Sequence, residues 1–184
     1  MLAGHVAPWL RTSSRVLDVG CGDGALAQVI GQLRPDLQIA GLDVLVRPTA
    51  RIPVTAFDGK TIPHGDASFD VVLLVDVLHH TDQPELLLRE ARRVARMIVV
   101  KDHTLNGWLA GPTLRMMDWV GNARHGVALP YNYWSEAQWR ESFAALGLRI
   151  EEWESDLRLY PCWADWWFGR RLHFMARLTP EEIS

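Results

Sequence analysis

Cysteine is scarce in this chain. Cys21 and Cys162 are the only two, which excludes a disulfide framework and leads us to expect a reducing, cytoplasmic setting. Long apolar runs are also missing. No stretch approaches about 18 uninterrupted apolar residues, so no integral membrane segment is expected. The amino terminus lacks the basic-then-apolar pattern of a secretory signal. Basic excess is absent too: 19 Lys and Arg stand against 22 Asp and Glu, giving a net charge of −3 and a pI near 6.1. That balance excludes the broad basic footprint of a nucleic-acid-binding protein. Arg89, Arg92, Arg93 and Arg96 are one local cluster of positive charge, expected to form the solvated face of a helix. No internal repeat is visible. What remains is a chain of 184 residues, 48% hydrophobic and 22% charged, as expected of one globular domain with a sizeable core.

The chain is organised around Val16-Leu17-Asp18-Val19-Gly20-Cys21-Gly22-Asp23-Gly24. Arg15 to Val19 reads as a short buried strand. Glycines follow on alternate positions, and Ala25 to Ile30 opens an apolar helical pattern. Strand, glycine turn and helix make the first half of a nucleotide-binding βαβ unit, which predicts a doubly wound α/β fold. The first amides of the helix point toward the same space and favour a negatively charged group there. Two ligand classes fit. Gly20-x-Gly22-x-x-Ala25 satisfies the dinucleotide fingerprint. Asp18 speaks against it, because a buried carboxylate must meet a cation or several donors. A ligand carrying an ammonium and a sulfonium suits it better than a pyrophosphate does.

Asp18 to Gly24 resembles the first motif of the class I S-adenosylmethionine-dependent methyltransferases, an acidic residue followed by G-x-G-x-G, at every defined position. Ile62-Pro63-His64-Gly65-Asp66-Ala67-Ser68-Phe69-Asp70 is similar to the LPF-x-D-x-SFD approach to the fourth strand in the small-molecule members. The resemblance covers Val16 to His103 well and the last third loosely. It implies a mostly parallel seven-stranded sheet with the last strand antiparallel, and S-adenosyl-L-methionine as cofactor. It further implies a cofactor set of Asp18, Gly20, Cys21, Gly22, Asp43, Val44, Asp58, Gly59 and Val75. Asp43 ends the second predicted strand, at about the 20-residue offset where an acidic side chain meets a ribose diol. Asp58-Gly59 fits the adenine clamp of the family, and it is also a common turn pair. The family carries a longer helical segment ahead of the first strand than the single turn, His5 to Leu10, expected here.

In chain order, strands are predicted at Gln38–Val44, Pro53–Phe57, Phe69–Val75 and Met97–Val100. The run Phe69–Val75 is continuously apolar, as a central parallel strand requires. Helices are predicted from Pro84 to Ala95 and from Leu105 to Val120, with a third opened by a Ser135/Gln138 capping box and ended by Gly147. Leu148–Trp153 and His173–Leu178 read as closing strands. We expect a cofactor half over 1–103, a lid or substrate insert over 104–134, and a closing helix and strands over 135–184. Eight of the nine tryptophans lie beyond residue 107; they read as core of the closing strands before an aromatic substrate pocket. The Trp-rich, Arg-flanked segment Pro161–Arg171 also offers a surface for a membrane face, a second copy or a partner.

Methyl transfer from a sulfonium is an in-line displacement that rests on positioning, with a base needed only for a protonated acceptor. The candidates are Asp76, His79, His80, Asp102, His103, His125, Tyr131 and Tyr133. His103 comes first because it follows the fifth strand, and His79 and Tyr131 come next. Asp76 and Asp102 match strand-end acids that hold Mg²⁺ in some catechol-type relatives. His103 replaces the third oxygen ligand there, and histidine suits magnesium poorly, so no metal is expected. The expected function is methylation of a small molecule with an aromatic or apolar body. The alternatives are an NAD(P)-dependent oxidoreductase and a non-catalytic cofactor-binding partner protein.

Overall fold

In the computed structural model, residues 1–105, 110–122, 132–159 and 172–181 are described, with 117–122 traced as backbone only. Seven strands form one sheet: β1 (Arg15–Val19), β2 (Gln38–Asp43), β3 (Val54–Ala56), β4 (Phe69–Val75), β5 (Ala95–His103), β6 (Leu148–Glu154) and β7 (His173–Pro180). Their order is β3-β2-β1-β4-β5-β7-β6. The first five are parallel, and β7 runs antiparallel to both β5 and β6. The expected mixed sheet is thus present.

Alternate side chains of the central strands leave to opposite faces. Leu17, Val19, Val72, Leu74, Ile98 and Val100 pack with α3 (Pro84–Val94) and α5 (Glu136–Ala145). Val16, Val71, Leu73, Met97 and Val99 pack on the other face with α1 (Leu2–Val6) and α2 (Ala25–Leu33). Both faces of β4 are therefore covered, which is why its sequence shows no polar alternation.

Several boundaries differ from expectation. The first helix begins at Leu2, and Pro8 sits in the first turn of a following 3₁₀ segment, Ala7–Trp9, where its missing N–H costs nothing. Helix α3 ends at Val94 and β5 begins at the next residue, so the expected tight connection has no loop at all. Strand β5 also runs through Lys101, Asp102 and His103 instead of stopping at Val100. The insert helix, α4, spans Ala110–Asn122. The Ser135/Gln138 capping box opens α5 as read.

Arg93 is not merely solvated. Its guanidinium donates to Glu90, Asp66 and the carbonyls of Ile62 and His64, tying the approach to β4 onto α3. Among the described residues, no helix is long and apolar enough to cross a membrane.

Candidate functional site

The sheet order reverses between β1 and β4, and ligands of open α/β sheets bind in the crevice outside the carboxyl ends of the strands there. The glycine turn fills that position. Gly20 and Cys21 donate their amides to the carbonyl of Leu42 at 2.7 and 3.2 Å, which stitches the turn to the end of β2. Gly20 is left-handed at φ +74, and a Cβ there would meet Val77 at 2.5 Å. Gly22 is also left-handed, φ +61, but its Cβ direction meets nothing within 4 Å. One glycine is required by the protein's own packing, while the other opens onto the crevice. The first amide of α2, that of Ala25, is taken by Asp23 Oδ1 at 3.1 Å. The helix start is therefore less available to an anion than its sequence suggested.

Asp18 lies beneath this turn and is only 3% exposed. Burial, and then the charge of Asp43, push its carboxyl up to about 7. Among the described residues no cation lowers it. A carboxyl in that state is neutral below about 7, and its ionised form is favoured by a positive charge that none of the described residues supplies. The residues present thus fit a cationic ligand lying against Gly22. Cys21 is half-buried, and burial with the nearby carboxylates pushes its thiol up to about 12. It lines the turn as an inert thiol, not as a nucleophile.

Asp43 holds the loop by accepting from Gly22 N through Oδ2 (2.7 Å) and from Leu45 N through Oδ1 (2.9 Å). Each oxygen keeps a second lone pair for an outside hydroxyl. Asp58 Oδ1 accepts from the amides of Lys60 and Thr61 at 2.8 and 2.7 Å, so Asp58-Gly59 forms the turn that its sequence suggests. Val44 is exposed, and its side chain lies close to Gly59. The tips of β2 and β3 therefore present one apolar and polar lip, which brings Val44, Asp58 and Gly59 together. Val75 is half-buried at the end of β4.

A second group stands at the carboxyl ends of β4 and β5. Asp102 is fully buried, and its carboxylate accepts from Leu78 N (3.0 Å), His103 N (2.7 Å) and His79 Nδ1 (2.6 Å). Burial alone would raise its carboxyl, but His79 and His103 outweigh that and hold it well below the usual range. Asp76 is left-handed at φ 54, and its Oδ1 accepts from Lys101 Nζ at 2.6 Å. There too burial is outweighed, by Lys101 and then His103, and the carboxyl stays low. His103 Nδ1 lies 3.4 Å from His79 Nδ1, 3.6 Å from Asp102 Oδ1 and 3.7 Å from Asp76 Oδ1. Tyr133 stacks on His79 with ring centroids 5.8 Å apart. The segment before it is fixed by Asn132 N donating to the carbonyl of His79.

The structure thus brings together His79, His103, Asp76, Asp102 and Tyr133 from the candidate set. His80 lies beside His79, the rings tilted at 46° with centroids 3.9 Å apart. Tyr131, His125, Cys162 and the Trp-rich stretch over 161–171 lie outside the described residues. Two members of the cluster were not foreseen. Lys101 is a buried cation inside a strand, and that placement was the signal to follow. His173, 3.3 Å from Lys101 Nζ, arrives through the pairing His103↔His173 of β5 with β7. No local sequence pattern reveals that register.

Comparison with known proteins bears on the ligand. A family profile described as "Methyltransferase domain" matches residues 4–152. The 27-O-demethylrifamycin SV methyltransferase of Amycolatopsis mediterranei (strain S699) is 31% identical over 100 residues, 47% of this chain and 36% of that protein. The chain thus aligns with about a third of that curated relative's length. Curated relatives also include tRNA methyltransferases. Among solved structures, a chain of the complex between the Haloferax volcanii Trm112 methyltransferase activator and a methyltransferase matches with a TM-score of 0.75 at 18% identity. It covers 98% of this chain and 89% of that one. The Burkholderia thailandensis 1,6-didemethyltoxoflavin-N1-methyltransferase, with its substrate and S-adenosylhomocysteine bound, matches with a TM-score of 0.69 at 15% identity. There 98% of this chain and 76% of that one are covered. At such identities the structural likeness shows the fold. The profile spans most of the chain and decides between the two cofactor classes that the glycine pattern left open. This protein belongs to the class I S-adenosyl-L-methionine-dependent methyltransferases, with S-adenosyl-L-methionine as cofactor.

Proposed function

We propose that the chain methylates a small molecule with an aromatic or apolar body. The observation that carries this reading is Asp18, a buried carboxylate raised to about 7 beside an open glycine turn, with a second polar cluster further along the sheet. The cofactor supplies an electrophilic methyl on a sulfonium, and the chain supplies its placement. Asp18 meets the positive charge of the amino-acid end, and Gly20, Cys21 and Gly22 give a backbone without bulk against it. Asp43 accepts from the ribose hydroxyls with its remaining lone pairs. Asp58 and Gly59 hold the adenine edge, Val44 covers a ring face, and Val75 floors the methyl end.

The acceptor sits against the ends of β4 and β5. His103, with His79 and Asp102 behind it, draws off the acceptor's proton; Tyr131 is the remaining candidate for that role. A small acceptor is favoured over tRNA, the substrate named for two relatives. The net charge is −3, and Arg93 is already committed to Glu90 and Asp66. A phosphate backbone needs unspent basic surface.

Calorimetry with S-adenosylhomocysteine tests the reading. Binding is expected to weaken by more than tenfold in Asp43→Ala. No binding to the wild type, or binding indifferent to that change, overturns it. Release of S-adenosylhomocysteine from S-adenosylmethionine on addition of hydroxylated aromatic compounds then tests the acceptor class.

A further inference from the structure

We infer that His79, His103, Asp102 and Asp76 form a binding site for one divalent transition-metal ion of the zinc class. One ligand atom from each converges, and the four lie within 4.8 Å of one another. The distances around His103 Nδ1 decide the matter. At 3.4, 3.6 and 3.7 Å from three polar atoms, it is too far from each for a good hydrogen bond, which closes to about 2.7–3.2 Å. Tetrahedral ligands at about 2.1 Å from a zinc ion stand roughly 3.4 Å apart. His103 Nδ1 is close to that spacing from all three neighbours.

A single proton also balances the charge of two carboxylates and Lys101, but it sits between one pair of atoms. It explains the 2.6 Å contact of His79 with Asp102 and does not account for the near-equal spacing of His103 Nδ1 from three neighbours. When the ion enters, the His79 Nδ1–H proton leaves to solvent, the freed lone pair takes the metal, and the His79–Asp102 edge opens by about 0.8 Å toward the tetrahedral value.

The surroundings are those of a supported site. The Asp102 carboxylate is oriented by two backbone amides, Leu78 N and His103 N, and Asp76 Oδ1 by Lys101 Nζ. Ligating carboxylates elsewhere are held in the same way. The mixed imidazole and carboxylate set selects Zn²⁺, Co²⁺ or Ni²⁺ over Mg²⁺. Asp76 is the rim member, its side chain 38% exposed, and it already has Lys101 as a second partner. It is the ligand that an acceptor oxygen displaces. This use of the ion rests on the proposed methyl transfer; the site itself rests only on the donor set. With the ion bound, a coordinated hydroxyl would lose its proton more readily, and this would take the place of the base role given above to His103 in the metal-free chain.

The experiment is a Co²⁺ titration of the chelator-treated whole chain, read by visible d–d absorbance and by metal content after dialysis. One equivalent with tetrahedral-type bands is expected, falling at least about tenfold in His103→Ala. Zinc X-ray absorption on the wild type, independent of whether a variant folds, is expected to show two imidazoles among light-atom ligands. Absent bands, bands unchanged in His103→Ala, or a zinc shell without imidazole, an adventitious ion only, overturns the inference. S-adenosylhomocysteine binding measured on the same samples separates the two proposals. Cofactor binding with no metal uptake sinks only the ion, and metal uptake with no cofactor binding sinks only the transferase reading.

Discussion

On the proposed reading, Asp18 should make donor binding a proton-linked event. Its carboxyl is raised to about 7 because it is buried and faces Asp43, and a cationic ligand favours the ionised form. If the donor binds only that form, apparent affinity follows the ionised fraction, about a tenth at pH 6 and nearly all at pH 8. The donor should therefore bind about tenfold more weakly at pH 6 than at pH 8, releasing close to one proton at the lower pH. Calorimetry in buffers of different ionisation enthalpy reads both quantities. Asp18→Asn should bind weakly at all pH values, with the slope gone.

The same residue has the opposite effect on the ligand-free fold. Its folded pKa lies above its unfolded one, so folding takes up a proton between about pH 4 and pH 7. The stability this gives is fully present below about pH 4 and lost as pH rises through about 7. Over three units the linkage amounts to at most about 4 kcal/mol. Asp18→Asn should accordingly raise the melting temperature of the ligand-free protein at pH 8 while weakening the donor. A wild-type affinity flat from pH 6 to 8, or a variant that melts lower at pH 8, refutes the reasoning.

Three further changes separate packing from binding. Gly22→Ala meets no atom within 4 Å but places a methyl toward the crevice at φ +61; it should cost about 1–2 kcal/mol of stability and weaken donor binding by more than tenfold in calorimetry. Arg93→Met removes the hold on Glu90, Asp66 and two carbonyls, and should lower stability by about 1–2 kcal/mol in urea unfolding, with donor affinity unchanged. Trp139→Phe loses the Nε1 donation to the carbonyl of His103 at 3.0 Å and part of a fully buried ring. It should cost about 2–3 kcal/mol, read by thermal unfolding.

How far the sequence could be read depended on whether a residue's partners were local. β4 was legible because a strand covered on both faces must be apolar throughout. The glycine turn was legible because strand, turn and helix are consecutive. β5 was cut short because Lys101, Asp102 and His103 look like a strand end, whereas their charges are matched by Asp76, His79 and His173 from other elements. Arg93 looked solvated because a helical wheel shows Glu90 but neither Asp66 nor the carbonyls of Ile62 and His64. Polarity rules fail where a buried polar group has distant partners, and such places are the usual seats of function.

Two buried carboxylates on either side of the central strand show this in contrast. Asp18 on β1 and Asp102 on β5 flank β4 and are both nearly inaccessible. Asp18 is raised to about 7 by burial and then by the charge of Asp43, whereas Asp102, though buried too, is held well below the usual range by His79 and His103. Environments that push the pKa values of like groups apart assign them different work. The carboxylate lacking a cation belongs with the ligand that brings one. The carboxylate already matched belongs with chemistry the chain supplies itself, which is why the proposed reading puts the cofactor side of the crevice at β1 and the acceptor side at β4 and β5. Exchanging the sides would leave the sulfonium ligand beside Lys101 and the histidines, and Asp18 with no counter-charge at all.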